Sequence, residues 1–398
     1  MKRMSMFFVL SVLVSAACKI SGPVSVSTPV TVTFSGNGHT GGMVTLLALL
    51  GPAGLPMPMP ARGSLVKTGY TFRGWNTQAN GSGADYAAGG FYSFAADTTL
   101  YAKWKADWTG IAGTASTFGI SLIEGIAYGG GKFVAAGANG KMAWSADGLT
   151  WTGIDGTAST FVSDTIYGVA YSGGKFVAAG AYGHMAYSSN GETWFPVGTS
   201  TFSTTWINGI AYGGGRFVAA GESGKMAWSA DGETWNAVVT STFSTTAIQG
   251  IAWGGGRFVA VGYGGHMAWS SNGETWYPVG TSTFSTSWIY GIAYGGGKFV
   301  AVGEHGKMAW SDDGETWNAI GTSTFGTSII MGIAWGGGKF VAGGQNGKMA
   351  WSTDGVTWTG IDGTVSTFAS DTIYGIAYGG GKFVAAGYGG KMAWHEYP

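Results

Sequence analysis

The sequence predicts an all-β protein built mainly from one repeated unit, and three observations support this fold class. A segment of about 41 residues recurs seven times, and each copy carries the pattern Gly-Ile/Val-Ala-Tyr/Trp. Each copy consists of short runs rich in β-branched and aromatic residues, separated by glycine-containing turns. The composition agrees, because 75 Gly, 19 Trp, 18 Tyr and 21 Phe suit a protein of many tight turns and large packed rings. The glycines that mark the copies are Gly125, Gly168, Gly209, Gly250, Gly291, Gly332 and Gly375.

Each copy predicts four strands, which we call A, B, C and D. In the third copy they cover 207–212, 216–220, 225–229 and 234–238, with Gly or Asp-Gly turns between them. A period of about 40 to 45 residues containing four short strands is typical of β-propeller blades. The sequence therefore predicts a seven-bladed β-propeller over residues 106–398.

The last copy predicts how the ring closes. It ends after strand C, at Met392-Ala393-Trp394, and has no strand D of its own. The segment from Asp107 to Ile111 reads like strand D of the first complete copy. Pairing this segment with the last strand C would complete the seventh blade and remove an exposed sheet edge, so we expect closure by an N-terminal strand.

The turn before strand D contains a recurrent motif, as in Ser229-Ala230-Asp231-Gly232-Glu233-Thr234-Trp235. It resembles the Asp-box of bacterial neuraminidase-type repeats, although it is one residue shorter than the common form. Both Asp and Asn can accept hydrogen bonds from turn amides, so their exchange favours a structural role over a titrating or metal-binding one. The residues at this position are Asp147, Asn190, Asp231, Asn272, Asp313 and Asp354.

The Asp-box resemblance raises the possibility of a sialidase, whose active site uses an arginine triad, a tyrosine nucleophile with a glutamate partner, and an acid/base aspartate. The propeller region contains only Arg216 and Arg257, and both begin strand B, where the other copies have lysine. We interpret them as surface variants of one repeated position, so the triad is absent. His184 and His266 likewise occupy a lysine position and are not expected to bind metal. We predict a non-enzymatic protein without a cofactor or metal, and keep a carbohydrate-active enzyme of sialidase-like fold as the alternative.

The N-terminus predicts the compartment. Lys2 and Arg3 precede an apolar stretch, and Ser15-Ala16-Ala17 then lead to the single cysteine, Cys18. This pattern resembles a bacterial lipoprotein signal peptide over residues 1–17 with lipidation at Cys18, followed by a tether over 18–28. Ordinary secretion or a retained apolar anchor is the alternative. The formal net charge is zero, or −2 without residues 1–17, so no basic footprint for nucleic acid is present.

Residues 29–104 form a second module. Val30 to Phe34, Lys67 to Asn76 and Asp97 to Trp104 resemble the Listeria–Bacteroides repeat of bacterial surface proteins, the internalin B-repeat type. The resemblance implies a small β-grasp-like domain that serves as a spacer. The segment 43–62 departs from the pattern, and its structure is not predicted.

Positions that vary among otherwise similar copies are the candidates for ligand binding. The variation lies around the start of strand A and in the turn between strands B and C, whereas the A–B and C–D turns are nearly uniform. Because strands alternate in direction, the start of A and the B–C turn lie at the same end of a blade. The candidate ligand-binding residues are Tyr167, Trp206, Asn208, Gln249, Trp288, Tyr290 and Tyr374 near strand A, and Tyr182, Glu222, Tyr263, Glu304 and Tyr388 in the B–C turn.

These observations predict a lipoprotein of the bacterial cell envelope, anchored to the membrane and exposed at the surface, whose monomeric propeller binds a protein or carbohydrate ligand on the variable face. An assembly or scaffold factor of the envelope is a further alternative. Copies 2 and 4 resemble each other, as do copies 3 and 5, so duplication of a two-copy unit followed by drift of tolerant turns also accounts for the variation.

Overall fold

The structure is a computed structural model that describes residues 28–44, 48–67, 70–106, 108–111, 118–154, 161–239, 241–280, 282–321, 323–361 and 367–396. The predicted signal peptide, Cys18 and almost all of the tether lie outside the described residues. The chain divides into two compact units. The smaller contains the described residues up to Leu65 together with Phe72–Lys103, and the larger contains Val66–Thr71 and the described residues from Trp104 onward.

The smaller unit is built on a five-stranded sheet of order β2-β1-β7-β4-β5, with a separate antiparallel pair of strands, β3 and β6. Strands β1 and β7 run parallel, and Val32 is opposite Thr98. The strands are β1 (Pro29–Ser35), β2 (Ala48–Pro52), β3 (Pro56–Pro58), β4 (Tyr70–Asn76), β5 (Asp85–Tyr86), β6 (Phe91–Ser93) and β7 (Thr98–Ala106). The segment for which the sequence made no prediction thus supplies β2 and β3.

The core of the smaller unit centres on Trp75. Its ring is fully buried and meets Phe34 edge to face at a centroid distance of 4.8 Å. Its indole nitrogen donates to the backbone oxygen of Pro60 at 2.9 Å, which satisfies the polar group that burial would otherwise leave unpaired. Met57 and Met59 are also buried, which explains the apolar residues between the prolines of this segment.

The larger unit consists, over its described residues, of seven four-stranded antiparallel sheets, numbered 1 to 7 after their strand A. Strand β8 (Thr109–Ile111) comes first in the chain. Sheets 1 to 3 are β9 (Ile123–Gly129), β10 (Lys132–Gly137), β11 (Met142–Ser145), β12 (Thr152–Ile154); β13 (Ile166–Ser172), β14 (Lys175–Gly180), β15 (Met185–Ser188), β16 (Phe195–Pro196); β17 (Ile207–Gly213), β18 (Arg216–Gly221), β19 (Met226–Ser229), β20 (Asn236–Ala237).

Sheets 4 to 7 continue the pattern, and β8 completes the last of them. They are β21 (Ile248–Gly254), β22 (Arg257–Gly262), β23 (Met267–Ser270), β24 (Tyr277–Pro278); β25 (Ile289–Gly295), β26 (Lys298–Gly303), β27 (Met308–Ser311), β28 (Asn318–Ala319); β29 (Ile330–Gly336), β30 (Lys339–Gly344), β31 (Met349–Ser352), β32 (Thr359–Ile361); β33 (Ile373–Gly379), β34 (Lys382–Gly387), β35 (Met392–Glu396). Short 3₁₀ turns join B to C, at Ala138–Gly140, Ala181–Gly183, Glu222–Gly224, Tyr263–Gly265, Glu304–Gly306, Gln345–Gly347 and Tyr388–Gly390. None of the helices in the described part of the chain is long and apolar enough to cross a membrane.

Strand B is buried on both faces, which explains its continuous apolar sequence. Phe133 packs in one apolar cluster with Val384 of sheet 7, whereas the next residue, Val134, packs in another with Phe176 of sheet 2. Successive side chains of a strand point to opposite faces, so each strand B contributes to the contact with both neighbouring sheets.

The repeated glycines of strand A allow these inner strands to approach each other closely. A methyl group at Gly125 would lie 2.9 Å from the Tyr167 oxygen of sheet 2, and one at Gly375 would lie 3.1 Å from the Glu124 oxygen of sheet 1. The last strand A therefore meets the first. The predicted pairing of the chain start with the last strand C is confirmed, since β8 pairs with β35 and places Ile111 opposite Met392.

Strand D is shorter than the sequence predicts, with two residues in sheet 3 instead of the five predicted. Trp235, expected within the strand, is buried, and its indole nitrogen lies 3.3 Å from the Gly232 oxygen of the preceding turn. Trp235 thus contacts the preceding turn, and the strand begins only at Asn236.

Candidate ligand-binding site

The start of strand A and the B–C turn meet at one end of each sheet. In sheet 3, Ile207 is opposite Gly221, and the amide of Glu222 donates to the oxygen of Trp206 at 3.0 Å. The equivalent backbone bond occurs in all seven sheets, in the pairs Ala138 to Leu122, Ala181 to Thr165, Glu222 to Trp206, Tyr263 to Ala247, Glu304 to Trp288, Gln345 to Ile329 and Tyr388 to Thr372. The two variable sets of positions therefore share one end of the larger unit.

A central cavity of about 340 Å³ lies at this end. Seven of its lining residues are the residues that immediately precede the repeated glycine, one from each sheet. They are Glu124, Tyr167, Asn208, Gln249, Tyr290, Met331 and Tyr374, and Trp206, Glu222 and Tyr263 complete the lining. A narrower space of about 170 Å³ adjoins the cavity, shares four of its residues and is otherwise lined by the repeated Gly and Ile or Val residues of strand A. The narrower space is therefore lined mainly by residues that repeat from sheet to sheet, whereas the central cavity is lined by residues that vary.

The central cavity brings together eight of the twelve predicted site residues: Tyr167, Trp206, Asn208, Gln249, Tyr290, Tyr374, Glu222 and Tyr263. Trp288 lies against it, because its ring stacks on Tyr263 at a centroid distance of 3.8 Å and an interplanar angle of 14°. A Glu304 carboxylate oxygen accepts the Trp288 amide at 2.9 Å. Tyr182 and Tyr388 are 52% exposed and do not line the cavity.

Two lining residues were not among the predicted site residues, Glu124 and Met331. Both occupy the variable position before the repeated glycine, and all seven residues at this position line the cavity. The position in the repeat therefore predicts a lining residue, whatever its side chain. Treating all seven residues at that position as one set would have included them.

Aromatic rings form much of the cavity wall. Tyr167 and Trp206 lie 5.6 Å apart between ring centroids, and Trp288 meets Tyr290 edge to face at 6.2 Å. Trp206 and Trp288 remain 43% and 39% exposed. Large, partly exposed aromatic side chains at a concavity are typical of binding sites, since they offer apolar area at low conformational cost.

The ionisable side chains that line the cavity are carboxyls and phenols. Burial raises the pKa of the Glu124 carboxyl to about 7. Burial raises the pKa of the Tyr167 phenol to about 12, and the charges of Glu124 and Glu222 add to the effect. Burial likewise raises the pKa of Tyr290 to about 12, with the Glu304 charge contributing. Among the described residues that line the cavity there is no lysine, arginine or histidine.

The opposite end carries the repeated turns with structural aspartates. Burial opposes ionisation of Asp231, but hydrogen bonds from the amides of Thr234 and Glu233, both at 2.8 Å, outweigh it and lower the pKa of Asp231 to about 2. Asn190 accepts the corresponding amides at 2.8 and 2.9 Å. The prediction that Asn and Asp play the same turn-stabilising role agrees with this geometry.

The interpretation of Arg216 and Arg257 as variants of one repeated position agrees with the contacts at this position, because Lys132 and Lys175 form the equivalent ion pairs with Glu192 and Glu233. Arg216 forms an ion pair with Glu274, and Arg257 forms one with Glu315, in each case reaching the turn of the next sheet. The Arg216 guanidinium also lies 4.6 Å from the Trp228 ring centroid. Sequence analysis could not detect these pairs, because they connect residues in neighbouring sheets.

A metal site and two surface grooves are the other candidates for a functional site in the larger unit. Among the described residues, no group of three or more His, Cys, Asp or Glu side chains is arranged to hold a metal ion. Two further grooves, of about 450 and 520 Å³, lie beside the links between copies. Most of their lining residues belong to the repeated turns and linkers, so they lack the concentration of variable side chains found in the central cavity.

Comparison with known proteins assigns part of the chain to a family. Residues 31–103 match the Listeria-Bacteroides repeat domain family. A stretch of 75 residues is 37% identical to a protein of Evansella cellulosilytica named as a Gly-rich membrane protein, and the match covers 19% of this chain. The chain spans only 9% of the length of that relative.

Solved structures with a similar fold cover most of the chain at low sequence identity. YCF48 bound to D1 peptide has a TM-score of 0.60 and 16% identity, and the match covers 74% of this chain and 98% of that one. A catalytically inactive virginiamycin B lyase from Staphylococcus aureus with quinupristin gives 0.61 and 12%, covering 73% and 99%. The WD40 β-propeller domain of Doa1 gives 0.56 and 9%, covering 72% and 96%. The larger unit therefore has a propeller-type fold.

Proposed function

We propose that the larger unit is a seven-bladed β-propeller that binds a polypeptide at the central cavity, and that the protein serves as an interaction module of the bacterial cell envelope. The observation that carries this proposal is the convergence of the seven residues, of five different types, that precede the repeated glycines. The framework around them is nearly identical from copy to copy, so the chemical diversity is concentrated where one ligand can touch all seven sheets.

A polypeptide suits the cavity better than a glycan. Seven equivalent pockets would favour multivalent recognition of a repeated sugar, whereas this cavity is single and has no repeat symmetry in its side chains. YCF48, which shares the fold at 16% identity, has been solved with a bound peptide. Drift remains the competing explanation of the variation, and it predicts no preference for any ligand at this end.

Envelope association is supported by the Listeria-Bacteroides repeat over 31–103 and by similarity to a protein named as a membrane protein. We propose that Cys18 is lipidated after removal of residues 1–17, that 18–28 is a tether, and that a β-grasp-like module over 29–104 is a spacer for the propeller over 106–398. The turns before strand D are proposed to be Asp-box relatives with a structural role.

The alternative of a sialidase-like enzyme has little support from the two propeller arginines. Both are engaged by glutamates at the end opposite the central cavity. A substrate carboxylate in the cavity would meet Glu124 and Glu222 and no basic side chain.

The test is peptide selection followed by paired substitution. Peptides selected from a random library on the purified full chain should bind the Trp206→Ala/Trp288→Ala variant at least about tenfold more weakly, since aromatic hot spots contribute about 2 kcal/mol or more each. The matched control is Phe195→Ala/Tyr277→Ala. These aromatics have similar exposure, 49% and 48%, but do not line the cavity.

The melting temperature of the tryptophan variant should stay close to that of the parent, because Ala247 already occupies the tryptophan position in the fourth copy. The control should behave alike, because Asn236 and Asn318 occupy the position of Phe195 and Tyr277 in other copies. If selected peptides lose affinity only in the Phe195/Tyr277 variant, the site is elsewhere. If no peptide but a glycan binds, and the tryptophan pair is required, the polypeptide part of the proposal is wrong.

A further inference from the structure

Within the described part of the chain, no lysine or arginine lines the central cavity beside Glu124 and Glu222. The lysines that follow the B–C turns are the nearest candidates in sequence, but each is engaged elsewhere. The Lys225 ammonium donates to the Phe202 oxygen at 3.0 Å, and the Lys307 ammonium donates to the Phe284 oxygen at 2.9 Å. Lys391 forms an ion pair with Asp371 at 2.6 Å. None of these lysines lines the cavity.

Glu124 and Glu222 differ from the acidic residue that has a structural task at this end. Glu304 accepts the Trp288 amide, and Gln345 accepts the Ile329 amide at 3.2 Å in the same way. Glu222 occupies the equivalent turn position in sheet 3 but lines the cavity, with a carboxylate oxygen 3.5 Å from the Asn208 side-chain nitrogen.

Glu124 is half-buried in the cavity wall. Within the described residues its carboxylate has no hydrogen-bond or ion-pair partner, and burial is the cause of its raised pKa. An ionised carboxylate in such a position is costly unless a cation compensates it.

The basic side chains that begin strand B show how this protein binds a cationic group. At the opposite end, Arg216 lies over the Trp228 ring at 4.6 Å and pairs with Glu274, and Lys132 lies over the Trp144 ring at 4.6 Å and pairs with Glu192. Each cation is thus held between an aromatic face and a carboxylate. The central cavity offers both kinds of group, with no basic side chain in its lining.

Resting on the proposed function, we infer that the central cavity recognises a basic side chain, lysine or arginine, of the bound polypeptide. Its charge would be compensated by Glu124 and Glu222, and its apolar stem or planar head would lie against Tyr167, Trp206 and Tyr263. A cation is attracted both to an aromatic face and to a carboxylate, and partial burial strengthens each attraction.

The test uses synthetic peptides in matched pairs, one with a central arginine and one with citrulline, which keeps the shape of arginine and removes its charge. Binding is followed by tryptophan fluorescence and calorimetry with the full chain. The arginine peptides should bind at least about tenfold more tightly, as expected for a charge-assisted hydrogen bond, and the difference should shrink as salt is added.

Substitutions then test whether Glu124 and Glu222 cause the preference for arginine peptides. Glu124→Gln/Glu222→Gln should abolish the preference for arginine over citrulline. Glu304→Gln is the matched control, since it removes one negative charge at the same end while Gln345 shows that glutamine can accept the strand A amide. Glu304→Gln should retain the preference. Glu222→Gln alone should reduce the preference and provides a second variant if the double variant melts early.

The two proposals fail differently. If citrulline peptides bind as well as arginine peptides, and both depend on Trp206 and Trp288, the cavity binds polypeptide but the charge inference is wrong. If arginine peptides bind with equal preference to the Glu124/Glu222 variant, recognition of the cation lies elsewhere. If neither peptide set binds, both proposals are overturned.

Discussion

Arg216 and Glu274 form an ion pair between neighbouring sheets although they are 58 residues apart in the chain. Equivalent pairs join Lys132 to Glu192, Lys175 to Glu233 and Arg257 to Glu315. Where the next turn has Val356 in place of glutamate, Lys298 pairs with Asp312 instead at 2.7 Å. Where it has Leu149, Lys382 donates to the Asp147 backbone oxygen at 2.9 Å. The first residue of strand B thus connects adjacent sheets in sheets 1 to 4 and in sheet 7, at the end away from the central cavity, whereas the Lys298 pair lies within sheet 5.

We predict a small stabilising contribution from this pair. Arg216→Ala should lower the free energy of unfolding by about 1 kcal/mol, because the side chains are partly exposed and the guanidinium also loses its contact with the Trp228 ring. A double-mutant cycle with Glu274→Ala, measured by urea denaturation, isolates the pair. A coupling energy of zero would mean that the arginine acts only through the tryptophan.

The turn aspartates should be replaceable by asparagine but not by alanine. Asp231→Ala removes the acceptor of two turn amides and should cost about 1 kcal/mol of stability. Asp231→Asn should cost much less, because Asn190 and Asn272 already accept the same amides in their own turns. Ligand binding should survive both changes, and its loss in a variant that melts normally would assign the turn a function.

The same aspartates should make the protein sensitive to acid. Hydrogen bonds lower the folded-state pKa of Asp231 and Asp354 to about 2, below the ordinary value of 3.8. Their stabilising effect is therefore present above about pH 4 and is lost as the pH falls toward 2. Urea denaturation of the parent and Asp231→Asn, followed across this range, should show the smaller acid-induced loss in the variant.

Glu124 should have the opposite pH dependence. Its folded-state pKa is raised from 4.5 to about 7, so the folded state favours the protonated form and loses stability as the pH rises from about 4.5 through 7. Glu124→Gln should stabilise the protein at pH 8, by up to about 3 kcal/mol, and have little effect at pH 4. Thermal melts at both pH values check this. Equal effects at pH 4 and 8 would mean that the carboxyl is not buried as described.

Membrane partitioning tests the predicted anchor. Cys18 lies outside the described residues, and its prediction as a lipidation site rests on the apolar stretch and small residues before it. Cys18→Ala should move the protein from the membrane fraction to the soluble fraction of a bacterial host. A wild-type protein that partitions no differently from the variant would contradict the lipoprotein prediction.

Much of the larger unit could be predicted from the sequence, because its determinants are local and repeated. Glycine turns, the alternation of strands A to D and the Asp or Asn turn acceptors each depend on residues a few positions apart. Their recurrence also made it possible to predict that Thr109 to Ile111 would complete the sheet of Met392, as the structure confirms.

The content of the candidate site could be predicted only in part. Strand direction correctly placed Trp206 and Glu222 at one end, since that follows from the antiparallel order of neighbouring strands. It could not place Tyr182 and Tyr388 outside the cavity, because their distance from its centre depends on where the B–C turns lie relative to strand A.

The sequence by itself determined the repeat, the strands, the closing pair and the end of the sheets that varies. The tertiary structure alone decided that Glu124 and Tyr167 line the same cavity, that Trp288 stacks on Tyr263, and that Arg216 reaches Glu274. The physical reason is distance. Turn and strand preferences act over a few residues, whereas burial, ring stacking and charge pairing depend on how neighbouring sheets approach each other in space.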